Sequence, residues 1–237
     1  MTEMVLEASG VGFDFGDLVV IDRLDLAVAE GEFVACVGPS GCGKTTLLAL
    51  LGGHLAPARG TLQRRGRTRT IYQDGGLFPW LTVHDNVARG LPDRLDAAIR
   101  KRKVAEWLAV TGLTEFAASY PHQLSGGMRQ RVELARALAA ESDILLLDEP
   151  MGALDYQTRL RMRRELCATL RERPRTVVFV THDIEEAVQL GDRVIVLGPR
   201  PTSVRRVIAL SPGRPRWPTA PGVPEAEQVI MEELGLT

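Results

Sequence analysis

The sequence predicts an α/β protein with a mostly parallel sheet and a helical block inserted into it. Three observations predict this. Short runs of apolar, β-branched residues recur, and each ends in polar residues suited to a ligand. A glycine-rich turn follows the first strong run and opens a helix. Between residues 76 and 139 the apolar spacing is helical instead.

Phe33-Val34-Ala35-Cys36-Val37 is apolar throughout, as a parallel strand covered on both faces must be. Gly38-Pro39-Ser40-Gly41-Cys42-Gly43-Lys44-Thr45 follows and matches G-x-x-x-x-G-K-[ST], with Thr46 next. Its glycines let successive backbone N–H groups point at phosphate oxygens. Leu47 to Leu51 continue as a helix that ends near Gly52-Gly53, and its N-terminus adds partial positive charge. In such a loop Lys44 pairs with the β- and γ-phosphates, and the Thr45 hydroxyl ligates Mg²⁺. With only three lysines in the chain, a chance match is improbable. A glycine-rich turn with no ligand is the bland alternative.

Ile144-Leu145-Leu146-Leu147-Asp148-Glu149 is the next strong strand, and two carboxylates emerge at its carboxyl end. Ligands of open α/β sheets bind at that edge. Asp148 is placed to share the metal with Thr45, and Glu149 to orient or deprotonate a water. Thr176-Val177-Val178-Phe179-Val180-Thr181 is a further strand, with His182-Asp183 at its end. Thr70-Ile71-Tyr72 is a short one, after which Gln73 opens a loop.

Ser125-Gly126-Gly127 stands before a helix whose Val132, Ala135, Leu138 and Ala139 recur at helical spacing. A serine cap and glycine N–H groups at a helix start form a second anion site. One phosphate cradle already exists at 38–45, so a second is redundant within a single chain.

The helical block also contains Val104, Trp107 and Leu108 on one face. Met162, Leu166 and Leu170 form the buried stripe of a later helix. Arg159, Arg161, Arg163, Arg164, Arg171, Arg173 and Arg175 cluster on that helix and its exit, and are expected on a solvated face. Prolines crowd residues 211–218, a loop or extended arm, and Glu225 to Leu234 form a final short helix.

At 237 residues and 45% hydrophobic, the chain can bury a full core as one domain. A net charge of −1 argues against a general nucleic-acid surface. Three cysteines at irregular spacing suggest neither a disulfide framework nor a metal cluster, which fits a reducing compartment. Cys42, inside the phosphate loop, is expected to be an alkylation site that ATP protects. The apolar runs are far too short to span a membrane, and no signal peptide is visible at Met1-Thr2-Glu3-Met4. Any membrane role is therefore expected to be peripheral.

Leu124-Ser125-Gly126-Gly127-Met128, set between the phosphate loop and the Asp148-Glu149 strand, resembles the signature of the ATP-binding-cassette (ABC) ATPases. The resemblance runs from about residue 4 to residue 200. It implies a RecA-like core at 1–75 and 140–212, with an N-terminal antiparallel β part. A helical signature subdomain would occupy 76–139, and a C-terminal tail 213–237.

The same resemblance assigns roles. His182 contacts the γ-phosphate and the attacking water. Gln73 touches Mg²⁺ and water and senses a membrane partner. Gly152-Ala153-Leu154-Asp155 resembles the loop that crosses the dimer interface. Phe15 fits the aromatic that stacks on adenine, with Phe13 a close competitor. Ser125, Gly126 and Gly127 serve the ATP of a partner chain, so two ATPs are sandwiched head to tail.

Gln73-Asp74-Gly75-Gly76-Leu77-Phe78-Pro79-Trp80, followed by Asn86-Val87, looks like the ATPases of nitrate, sulfonate and taurine importers. Such a resemblance implies a dimer, of identical or similar chains, on the cytoplasmic face of the inner membrane. It sits under permease subunits fed by an extracytoplasmic binding protein. The permease helix would dock at the Gln73 loop and Phe78-Pro79-Trp80, although Trp80 could equally be core. One departure is the segment Gly60 to Arg69, which is shorter than that group's pattern.

Overall fold

The structure is a computed structural model that describes residues 3–72 and 76–236. Gln73, expected to touch metal and water, lies outside the described residues.

Two sheets build the molecule. Strands β1 (Met4–Phe15), β2 (Leu18–Ala29) and β4 (Arg59–Arg64) form an antiparallel sheet in the order β2-β1-β4. The second sheet has six strands in the order β5-β6-β7-β3-β8-β9. These are β3 (Phe33–Val37), β5 (Thr68–Ile71), β6 (Ile144–Asp148), β7 (Thr176–Thr181), β8 (Arg193–Leu197) and β9 (Val204–Ala209). All neighbours in it are parallel except β8 and β9.

The continuous apolar strands are explained by what covers them. Phe33, Ala35 and Val37 of β3 join one core cluster with Leu145, Leu147, Val177 and Phe179. Val34 and Cys36 join the other with Ile144, Leu146, Val178 and Val180. Successive side chains leave opposite faces of a strand, so both faces are buried. The second cluster is closed by helix α1 (Lys44–Gly52) and the antiparallel sheet, through Leu47, Leu48, Leu51, Leu6 and Val28. The first is closed by helices: α2 (Val83–Ala88), α3 (Ala97–Val110), α4 (Gly126–Ala139), α5 (Tyr156–Glu172), α6 (Ile184–Leu190) and α7 (Val223–Leu234). Phe33 and Phe179 meet edge to face at 5.2 Å in its centre.

Between 76 and 139 the described elements are α2, α3, α4 and two 3₁₀ turns. The short 60–69 segment makes no hairpin of its own. β4 pairs with β1, β5 pairs with β6, and Gly66, at φ 98°, turns the chain between the two sheets.

Residues 211–218 are the loop alternative and not an extended arm, and they pack onto the body: the Arg216 guanidinium donates to the carbonyls of Val188, Gly191 and Ser211. One expectation changes at this level. On α5, Arg163 is buried and Arg159 is half-buried rather than solvated. Arg163 is 2% exposed and donates to Asp183, Glu185 and Gln189. Burial of an arginine is tolerable there because carboxylates meet it.

Candidate nucleotide site

The carboxyl ends of β3, β6 and β7 lie side by side, because these strands are parallel neighbours. That adjacency brings 38–45, Asp148-Glu149 and His182 to one edge. A cavity of about 420 Å³ opens there. Its walls include Phe15, Ser40, Gly41, Lys44, Asp148 and Glu149, together with Gly43, Thr45 and Thr46.

The loop is shaped by its glycines at two positions. Gly41 and Gly43 have φ of 74° and 112°, which side chains rarely adopt. At Gly43 a Cβ would also meet Val20 Cγ1 at 2.8 Å. Gly43 caps α1, whose first N–H groups therefore face the cavity. The Lys44 Nζ donates to the carbonyls of Gly38 (2.8 Å) and Pro39 (3.1 Å), so its charge is held across the loop. Cys42 does not meet its expectation. Its side chain is 1% exposed and faces the core, and burial pushes the thiol up from its ordinary range. A buried, protonated thiol is a poor target for alkylation.

Asp148 is buried at the end of β6, and Glu149 follows it with φ 47°. This is the one non-glycine positive φ among the described residues, a strained conformation of the kind found at functional sites. The strain is fixed from two sides. The Glu149 N–H donates to the Val180 carbonyl (2.9 Å), and Gln130 Nε2 donates to the Glu149 carbonyl (2.7 Å). The turn swings the Glu149 carboxylate to 3.0 Å from His182 Nδ1. Tyr72, at the end of β5, has its phenol pushed up by burial and by the Asp148 charge.

Phe15 and Phe13 are now distinguished. Phe13 is 9% exposed and belongs to the core, while Phe15 is 56% exposed and lines the cavity. The two rings meet edge to face at 4.9 Å. Arg200 and Leu18 also line it, and sequence reasoning missed both. Arg200 reaches the site because Thr202 hydrogen-bonds the Cys42 carbonyl across the β8–β9 connection. No local motif marks that contact.

Ser125, Gly126, Gly127 and Asp155 do not line this cavity. Ser125 caps α4, its Oγ accepting from the Met128 N–H at 3.2 Å. Asp155 caps α5, accepting from the Thr158 N–H at 3.0 Å. The two cap regions touch: a Cβ on Gly127 would sit 3.1 Å from the Ala153 carbonyl oxygen and from Leu154 Cδ2. Gln130 joins them to the cavity, since its Oε1 also accepts from the Ala153 N–H.

Trp80 is 70% exposed, which overturns core packing as its role. Buried Asn86 holds the turn beneath it. Its Oδ1 accepts from the Phe78 N–H, and its Nδ2 reaches the Phe78, Leu81 and Thr82 carbonyls. The α4 helix braces the same turn: Arg136 lies over the Phe78 ring at 5.5 Å and donates to the Gly76 carbonyl.

A glycine-lined helix terminus, a lysine and two strand-end carboxylates fit a polyphosphate with a divalent cation. The comparisons with known proteins support the nucleotide. The family model described as "ABC transporter" matches residues 21–152. The aliphatic sulfonates import ATP-binding protein SsuB of Burkholderia ambifaria is 49% identical over 195 residues, spanning 80% of this chain and 60% of that protein. Its Bacillus subtilis namesake is 38% identical over 226 residues, spanning 92% and 88%. Among solved structures, a dimeric ATP-binding cassette in a post-hydrolysis state, bound to ADP and Pi, superposes with a TM-score of 0.78. It is 32% identical and is matched over 88% of this chain and all of that one. The chain therefore belongs to the ABC transporter family and is one of its ATP-hydrolysing cassettes.

Proposed function

We propose that the chain is the ATPase subunit of an importer for a small organic oxyanion of the aliphatic sulfonate class. It would act as a head-to-tail dimer beneath a separate permease. The observation that carries this reading is the split of the anion sites. Lys44, Asp148 and Glu149 share one cavity, with His182 against Glu149, while Ser125–Gly127 opens elsewhere, as a site that serves a second chain must. The names of the relatives support the sulfonate class.

In this mechanism Phe15 stacks on the adenine, and the 38–45 loop with Lys44 and Thr46 holds the phosphates. Thr45, Asp148 and Gln73 would hold Mg²⁺, which neutralises developing phosphate charge when bound. Glu149 takes the proton of the attacking water. His182, 3.0 Å away, fixes the orientation of that carboxylate and reaches toward the phosphate. The partner's signature supplies further N–H donors, and Asp155 lies at the same seam. Catalysis of this kind is positioning and electrostatics, so a site lacking its partner half is nearly inactive.

The exposed Phe78 and Trp80, braced from α4 and followed by the signature on that helix, form the surface for a permease segment. A segment docked there would pull on the helix that carries Ser125. Among the described residues no helix is long and apolar enough to cross a membrane, so the pore is assigned to another chain.

The test is affinity purification of a tagged Glu149→Gln chain from source membranes in mild detergent with ATP. Co-purification of a multi-span permease is the expected result. Its binding protein, screened by calorimetry, should prefer alkanesulfonates to sulfate and nitrate. Recovery of soluble partners alone would sink the transport reading, and a preference for nitrate would sink the substrate class.

A further inference from the structure

We propose that the cavity between α5 and the 215–218 segment binds a soluble amphipathic organic anion, one with an apolar body and a single sulfonate or carboxylate head. This inference does not depend on what the transport complex carries.

The cavity holds about 440 Å³, within the range of small-molecule sites. Leu160 lines it from α5, and Trp217 and Pro218 from the opposite side. Trp217 is exposed despite its size. Its position is nonetheless fixed, because the neighbouring Arg216 is bonded to three backbone carbonyls of the body. The ring is therefore a built wall of the cavity.

Charge sets the ligand class. Arg164 and Arg171 also line the cavity. The Arg164 guanidinium lies 4.9 Å from the Trp217 ring centroid, and Arg171 donates to the Arg214 carbonyl. Among the described residues neither has a carboxylate at ion-pair distance, unlike Arg159 and Arg163 on the same helix, which share Asp183. Both guanidiniums are solvent-exposed and unpaired with a carboxylate, so beside the apolar wall they leave a local excess of positive charge that an anion can answer. An inorganic anion would leave Trp217 and Leu160 wet. A neutral hydrocarbon would leave both guanidiniums unanswered. A molecule with an anionic head and a short apolar tail satisfies both halves. An arginine already stacked on an indole can still donate its edge N–H groups to that head.

The experiment is isothermal titration of the full chain with 1-hexanesulfonate, with and without saturating ATP. Saturable one-to-one binding is expected, with Kd at or below about 1 mM. Hexan-1-ol and sodium sulfate should each bind at least about tenfold more weakly. Arg164→Gln and Trp217→Ala should each weaken hexanesulfonate by about tenfold while leaving ATP affinity unchanged. If Trp217→Ala fails to fold, Arg164→Gln alone decides. Absence of saturable binding, equal binding by Arg164→Gln, or displacement of the probe by ATP would each overturn the proposal.

Discussion

Glu149 is the residue where backbone strain and the proposed chemistry coincide. A positive φ costs a non-glycine residue about 1–2 kcal/mol, and the Val180 and Gln130 hydrogen bonds hold it there. The return is a carboxylate aimed at the cavity with His182 against it. Replacing Glu149 by Gln keeps shape and removes the proposed base, so turnover should fall at least about 100-fold while ATP still binds. Phosphate release and nucleotide binding on one preparation check this, and near-normal turnover would remove Glu149 from its role. Glu186 offers a pH test. Burial pushes its carboxyl up from 4.5 to about 6, against the hydrogen bond from Thr181. A carboxyl with a raised folded pKa binds its proton more tightly in the folded chain. Its stabilising contribution is complete below about 4.5 and is lost as pH rises through about 6. Relative to Glu186→Gln, the wild-type chain should lose about 2 kcal/mol between pH 4.5 and 7. Parallel urea-unfolding curves for the two chains across that window would refute it.

At the scale of elements, α5 and α6 are joined by charge. Asp183 caps α6 through the Glu186 N–H and receives Arg159 at 2.7 Å and Arg163 at 3.0 Å. Arg159 also donates to the Leu154 carbonyl, so the loop before α5 and the residue after His182 are tied through one side chain. Arg163→Met removes one partner and leaves two carboxylates partly buried, which should cost about 3 kcal/mol. Urea unfolding measures it, and a loss below about 1 kcal/mol would mean that solvent screens the network. The α4 helix is the second joint. Gln130 reaches Glu149 and Ala153, Arg136 reaches Gly76, and Ser125 caps its start. A movement of this helix is therefore felt by the strained residue and by the Trp80 turn together.

At the scale of the whole molecule, the signature is informative because it is out of place. It stands outside the cavity that its own chain builds, and in the proposed head-to-tail dimer a second chain would give it a use. The Glu149→Gln chain should elute as a dimer with ATP and as a monomer without it. Adding Ser125→Glu should abolish that dimer while leaving ATP affinity intact, since a carboxylate there would repel the partner's γ-phosphate. A dimer that survives Ser125→Glu, read by size-exclusion chromatography with light scattering, would count against the head-to-tail arrangement.

The phosphate loop, the Asp148-Glu149 and Thr181-His182 strand ends, the helical signature segment and the α/β class were all legible in the chain. Each is carried by residues adjacent in sequence: a glycine spacing, an apolar run, a cap before a periodic helix. Local sequence sets backbone conformation and strand burial directly, so such features survive without any knowledge of neighbours. Other properties depend on which elements pack together. The Asp183 and Glu185 carboxylates on α6 turned Arg163 from a solvated residue into a buried one. Phe13 and Phe15 share a strand and a spacing, and only the position of the β1–β2 turn over the phosphate loop sends one to the core and the other to the cavity. The inward rotation of Cys42, the reach of Arg200 and the positive φ of Glu149 are likewise set by contacts with other elements, Thr202 for the first two and Val180 and Gln130 for the third. Spacing along a chain carries no record of those contacts, and only the folded packing decides them.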